Sequence, residues 1–140
     1  MTKVSPFLTF SGTCGEAIAL YTKALNAKIT FKSHYSDTKD PKCQDESKKH
    51  YIYHAQLKIG KNIIMMCDDS SDKLSDGMEL RQSEVCLCAE FATPNEVKAA
   101  YDIMSENATI IEPFSSASYS KSFVFLEDKF GIRWWLMTAE

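Results

Sequence analysis

The strongest constraint on this 140-residue chain is that it states one pattern twice, 80 residues apart. Thr13-x-x-Glu16 is followed by Ala17, Leu20, Tyr21 and Ala24, and Thr93-x-x-Glu96 by Val97, Ala100, Tyr101 and Met104. Each Thr/Glu pair has the spacing of a capping box, in which two side chains satisfy the backbone donors of a helix start. Each following set falls at i, i+3, i+4, i+7, the apolar stripe of a helix packed against something larger. Pro94 stands at a first helical position, where its missing N–H costs nothing. The pattern predicts helices over 14–26 and 94–107 in two copies of one supersecondary unit. A duplicated unit points to the junction of its copies as the place for a functional site.

The segments between the helices alternate polar and apolar side chains or form short apolar runs. Residues 4–11, 28–36, 51–59 and 62–67 read as strands, the last two joined by the hairpin signal Gly60-Lys61. Residues 36–50 are charged, contain Pro41 and have no periodicity, so they read as a mobile loop. That completes a β-α-β-β-β unit over about 1–68, and a polar linker follows at 69–81. The second unit, 82–140, repeats the order with strands at 82–91, 109–113, 122–127 and 132–138. A Ser-rich stretch at 114–121 reads as a flexible lid, and Gly131 suits a positive-φ turn position. The expected architecture is one α+β domain of two tandem βαβββ units forming curved antiparallel sheets, with helices on the outer faces.

Composition narrows the function classes. A net charge of −3 and a pI of about 5.6 argue against nucleic acid, which selects a basic face. No apolar run approaches the roughly 18 residues that cross a bilayer, and the N-terminus lacks a signal-peptide pattern. The chain has five cysteines and no CxxC pair, which favours a reduced, cytoplasmic setting over a disulfide scaffold. A small molecule is the expected partner.

Local motifs add a resemblance. Pro6-Phe7-Leu8-x-Phe10-x-Gly12-x-Cys14-x-Glu16-Ala17, then Tyr21 and Leu25, His54-Ala55-x-Leu57-x-Ile59-Gly60, and Asp128-x-Phe130-Gly131-Ile132-x-Trp134 span nearly the whole chain. Together they resemble the PhnB-like branch, often described as demethylubiquinone methyltransferase-like domains, of the glyoxalase/bleomycin resistance/dioxygenase (vicinal oxygen chelate) superfamily. The resemblance implies the tandem βαβββ fold and a homodimer. It implies no particular reaction. In metal-dependent members, two ligands from each unit hold one divalent ion that acts as Lewis acid toward neighbouring substrate oxygens. The matching positions here carry Ser5 or Pro6, Met65 or Met66, Cys86 and Trp135. None supplies the carboxylate or imidazole that a hard ion favours, so no metal or other cofactor is expected.

The expected ligand pocket therefore comprises His54, Met65, Cys86, Cys88 and Trp135. His54 reads either as a polar anchor or general base, or as a histidine hydrogen-bonded within the sheet. Cys86 and Cys88 share a strand face as a soft pair or as small buried hydrophobes. Adjacent Trp134 and Trp135 must face opposite sides of the last strand, one in the core and one open to a ligand. Three functions compete. The first is a metal-free small-molecule binder. The second is a lyase, isomerase or dioxygenase with an unconventional site around His54 and Glu84 or Glu90. The third is a dimeric interaction module without a ligand.

Overall fold

The computed structural model describes residues 1–69, 85–117 and 120–139. The expected linker beyond Asp69, the first part of the 82–91 strand, Glu84 and Ser118 lie outside the described residues. The chain divides into two compact units, Met1–Met78 and Glu79–Glu140.

The first unit runs β1 (Phe7–Phe10), α1 (Cys14–Leu25), β2 (Lys28–His34), three 3-10 turns, β3 (Ile52–Ile59) and β4 (Asn62–Asp68). Its sheet has the order β1-β4-β3-β2. The second unit runs β5 (Leu87–Phe91), α2 (Pro94–Met104), β6 (Thr109–Ala117), β7 (Ser120–Glu127) and β8 (Arg133–Thr138), in the order β5-β8-β7-β6. Both are βαβββ units, as the repeat predicted. The sheets are mixed, because β1/β4 and β5/β8 pair in parallel. Each helix crossover returns the chain to the end it left, so the first two strands of a unit run the same way. Two hairpin reversals then leave the last strand parallel to the first.

Register makes the units comparable residue by residue. Phe7 pairs with Met65 and Phe10 with Asp68, while Cys88 pairs with Trp135 and Phe91 with Thr138. Met65 therefore corresponds to Trp135, and Asp68 to Thr138. In the first unit Ala55, Leu57, Ile64 and Met66 turn to α1, which buries Ala17, Ile18, Tyr21 and Ala24. In the second, Val124, Leu126, Trp134 and Leu136 lie with Val97, Ala100 and Met104 of α2 in the core. Each large apolar side chain so buried stabilises the fold by about 1.5–3 kcal/mol.

Two local expectations are overturned. The capping box at Thr13/Glu16 does not form, because Thr13 makes no side-chain cap hydrogen bond. At the second helix Thr93 Oγ1 does accept from Glu96 N (3.2 Å), while Glu96 Oε2 accepts from Ala92 N (3.3 Å) rather than from Thr93 N. The Ser-rich stretch is strand, not lid: β6 extends to Ala117 and β7 begins at Ser120. Ser120 and Ser122 are buried, and the Ser120 hydroxyl lies 2.9 Å from Thr138 Oγ1, so cross-strand bonding absorbs their polarity.

Candidate functional site

The first unit is fastened at the end of β4 by Asp68, which is 5% exposed. Its Oδ1 accepts from Gly12 N (2.8 Å) and Cys14 N (3.0 Å), and its Oδ2 from Ile52 N (2.9 Å). One carboxylate thus satisfies orphan donors at the start of α1 and holds the start of β3. Its backbone carbonyl accepts from Tyr35 Oη (2.8 Å), which ties in the first 3-10 turn. Gly12 permits this junction: its φ is +96°, and a Cβ there would lie 2.8 Å from Tyr51 Oη.

Beside this knot lies a cavity of about 480 Å³ walled by Thr9, Tyr35, Asp40, Tyr53, His54 and Cys67 among others. One wall comes from the charged loop. Rather than running without local order, it folds as 3-10 turns Tyr35–Asp37, Pro41–Cys43 and Glu46–Lys48. Asp40 organises it: Oδ1 accepts from Lys42 N (3.0 Å) and Oδ2 from Tyr53 Oη (3.2 Å). Gln44 Nε2 donates to the Thr38 (3.2 Å) and Asp40 (2.9 Å) carbonyls. Asp40-Pro41 was the available sequence signal, a cap followed by a proline at the first turn position. Tyr35, Tyr53 and Asp68 carried no signal, because their roles depend on partners 13 to 56 residues away.

The expected site residues fall in both units and are described unit by unit. His54 lines the cavity, with its ring 5.7 Å from Phe7 and 5.9 Å from Phe31. Its Nε2 lies 3.5 Å from Gln56 Nε2. Met65 sits on β4 opposite Phe7 and Gln56, outside the cavity lining. In the second unit Cys88 is exposed and faces Trp135 across the β5/β8 pair, and Cys86 immediately precedes β5. Trp135 stacks on Phe125 at 4.6 Å with 3° between planes, and Phe123 approaches it at 5.4 Å. Trp134 turns the other way into the core and donates from Nε1 to Asp128 Oδ2 (3.1 Å). Asp128 Oδ1 also accepts from Phe130 N (2.9 Å) and Ile132 N (3.0 Å). The Asp128-to-Trp134 motif is therefore a fastener of the β7–β8 turn.

The thiols are poorly suited to nucleophilic attack at neutral pH. Burial pushes the Cys67 thiol up, and the Asp68 and Asp69 carboxylates add to that, against an opposing bond from Thr9. Burial likewise raises Cys43, with Asp40 reinforcing it, and the partial desolvation of the thiol raises Cys88, with Glu90 and Cys86 reinforcing it. These three remain thiols near pH 7.

The superfamily's divalent ion can be tested against the donor set. Strand register places Met65 and Trp135 at corresponding positions. These offer a thioether and a stacked indole, and Ser5 and Cys86 add a hydroxyl and a thiol. That set does not fit a hard divalent cation.

Comparison with known proteins agrees with the architecture. The curated relative Protein YjdN of Escherichia coli strain K12 is 28% identical over 94% of this chain and 91% of its own. Protein PA1353 of Pseudomonas aeruginosa superposes with a TM-score of 0.84 at 21% identity, covering 99% of this chain and 98% of that one. The PhnB protein of Bacillus cereus superposes at 0.77 and 24% identity, covering 99% and 100%. A glyoxylase/bleomycin resistance protein/dioxygenase domain of Frankia sp. EAN1pec gives 0.63 at 14% identity, covering 100% and 99%. The family model described as 3-demethylubiquinone-9 3-methyltransferase matches residues 2–137. This match places the chain in that family, and its tandem βαβββ units share the fold of the Bacillus cereus PhnB protein and of the Frankia glyoxylase/bleomycin resistance protein/dioxygenase domain.

Proposed function

We propose that this chain binds a small molecule in the cavity of its first unit, without a resident hard metal ion. The observation that carries this reading is the cavity itself. Its volume of about 480 Å³ falls within the range of small-molecule sites, and an organised loop forms one wall. Its lining offers aromatic faces, hydroxyls and carboxylates for recognition, whereas its Cys43 and Cys67 thiols are held protonated. Those are attributes of a binding site more than of a covalent catalyst. A thermal-shift screen against metabolites and antibiotics tests it, since a ligand that binds only the folded state raises the melting temperature by mass action. Absence of any stabilising compound would remove the reading. Near-stoichiometric zinc, nickel or manganese in protein purified without a histidine tag would overturn its metal-free part.

His54 on the cavity wall favours a second reading, in which it acts as a general base of a lyase, isomerase or dioxygenase. Turnover abolished in His54→Gln, with ligand affinity retained, would select that reading over simple binding.

The proposed working unit is a cytoplasmic homodimer. Phe7 and Phe31 are 48% and 51% exposed, and both approach His54, forming an apolar patch of the kind that marks an interaction surface. Light scattering giving a mass near 15.8 kDa at micromolar concentration would rule the dimer out. All five cysteines are free thiols, which suits a reducing compartment.

A further inference from the structure

We propose that the occupant of the first-unit cavity is a small organic cation, a primary amine or guanidinium carried on an aromatic or apolar body. This rests on the small-molecule reading and adds the ligand's charge and shape. The cavity lining carries Asp40, Asp68 and Asp69 against the single formal cation Lys42. Asp68 is committed to three backbone donors, from Gly12, Cys14 and Ile52. Asp40 is the adaptable partner. Its two carboxylate oxygens each accept one bond, from Lys42 N and from Tyr53 Oη. A carboxylate has about four acceptor positions, so capacity remains for a charged donor.

The aromatic side of the wall complements that charge. Tyr35 and Tyr53 meet edge to face at 6.2 Å, and both line the cavity with Asp40. A cation near the Asp40 carboxylate would also lie beside the Tyr53 side chain, whose hydroxyl donates to that carboxylate. The carboxylates act on neighbouring groups in the same sense, since Asp68 and Asp69 both favour the neutral thiol of Cys67. A cationic guest meets a favourable field there, and an anionic guest a repulsive one.

Three probes of one ring size and different charge test the assignment: benzylamine, benzyl alcohol and benzoate, titrated by amide chemical-shift perturbation. Benzylamine should bind about tenfold more tightly than benzyl alcohol, as a charged hydrogen bond would give, with benzoate weakest. Asp40→Asn should reduce benzylamine to the level of benzyl alcohol while leaving the alcohol unchanged. Lys42→Ala, which removes the opposing charge, should tighten benzylamine. Dispersed amide spectra establish that both loop variants are folded. Preference for benzoate or the neutral alcohol, or benzylamine binding indifferent to Asp40→Asn, overturns the cationic assignment but leaves small-molecule binding standing. Failure of all three probes to shift residues lining the cavity overturns both.

Discussion

The two units share one chain path but fasten and fill it differently. At the end of its last strand the first unit has Asp68, and at the corresponding position the second has Thr138. Asp68 collects backbone donors from the start of α1 and the start of β3. Thr138 instead bonds to Ser122 N (2.9 Å) and the Ser120 hydroxyl, within its own sheet. Helix α2 is then left to cap itself through Thr93. The faces away from the helices differ in the same direction. The first unit keeps a cavity beside Thr9, His54 and Cys67, whereas the second packs Phe123, Phe125 and Trp135 together. The two units share a scaffold, and their different side chains leave an opening in one and a stacked aromatic surface in the other.

The largest test of this contrast is removal of the two fasteners. Asp68→Ala leaves three backbone N–H groups without their acceptor and should cost about 4 kcal/mol in urea unfolding. Thr138→Ala should cost about 1–2 kcal/mol, since it loses neutral hydrogen bonds only. Equal losses would erase the distinction between them. A smaller effect is expected beside the first fastener. Gly12→Ala should cost about 2 kcal/mol, because it places a Cβ against Tyr51 at a positive φ. Ala92→Gly, at the residue before the other helix cap, should change stability by under about 1 kcal/mol.

Helix capping sharpens the comparison further. Thr93→Ala should lose about 1 kcal/mol, and Thr13→Ala less than about 0.5 kcal/mol, because only Thr93 accepts a backbone N–H at its helix start. A further difference is a pH dependence carried by Cys14 of the first unit. Cys14 is fully buried, and burial, reinforced by Asp68 and Cys67, raises its thiol pKa. The folded chain therefore holds a proton that the unfolded chain releases. The stability this contributes is complete below the ordinary thiol pKa of about 8.5 and drains as pH rises above it. Between pH 7 and 9.5, the wild type should lose about 1 kcal/mol more than Cys14→Ala. Identical profiles would remove the thiol from the account. Pro94 stands at the matching place in the second unit and has nothing to titrate.

Much of this contrast was invisible in the linear pattern for a physical reason. Thr13-x-x-Glu16 and Thr93-x-x-Glu96 are equivalent as text, yet a buried carboxylate 54 residues beyond Cys14 takes over the capping at the first. Charge at a helix start outcompetes a hydroxyl when it can be delivered there, and delivery depends on where β4 ends. The Ser-rich segment misled similarly. Its small polar side chains resemble a loop until Thr138 and the β6/β7 pairing supply their partners. The strand position of His54 was legible in its motif, and the structure sets it on the cavity wall. Asp40 and Tyr53 were not, since their hydrogen bond closes across 13 residues of irregular chain.

By itself the sequence determined the two βαβββ units, both helices, the hairpin at Gly60-Lys61 and the opposite facing of Trp134 and Trp135. Those follow from periodicities of 3.6 and 2 and from turn chemistry, which are local and repeat along the chain. Only the tertiary structure decided which helix needs a remote carboxylate, that β1 and β5 pair in parallel with the last strands, and that a charged loop walls a cavity. Each of these depends on groups far apart in sequence meeting at hydrogen-bonding distance. Such meetings are fixed by the packing of the whole unit and leave no periodic trace in the residues that make them.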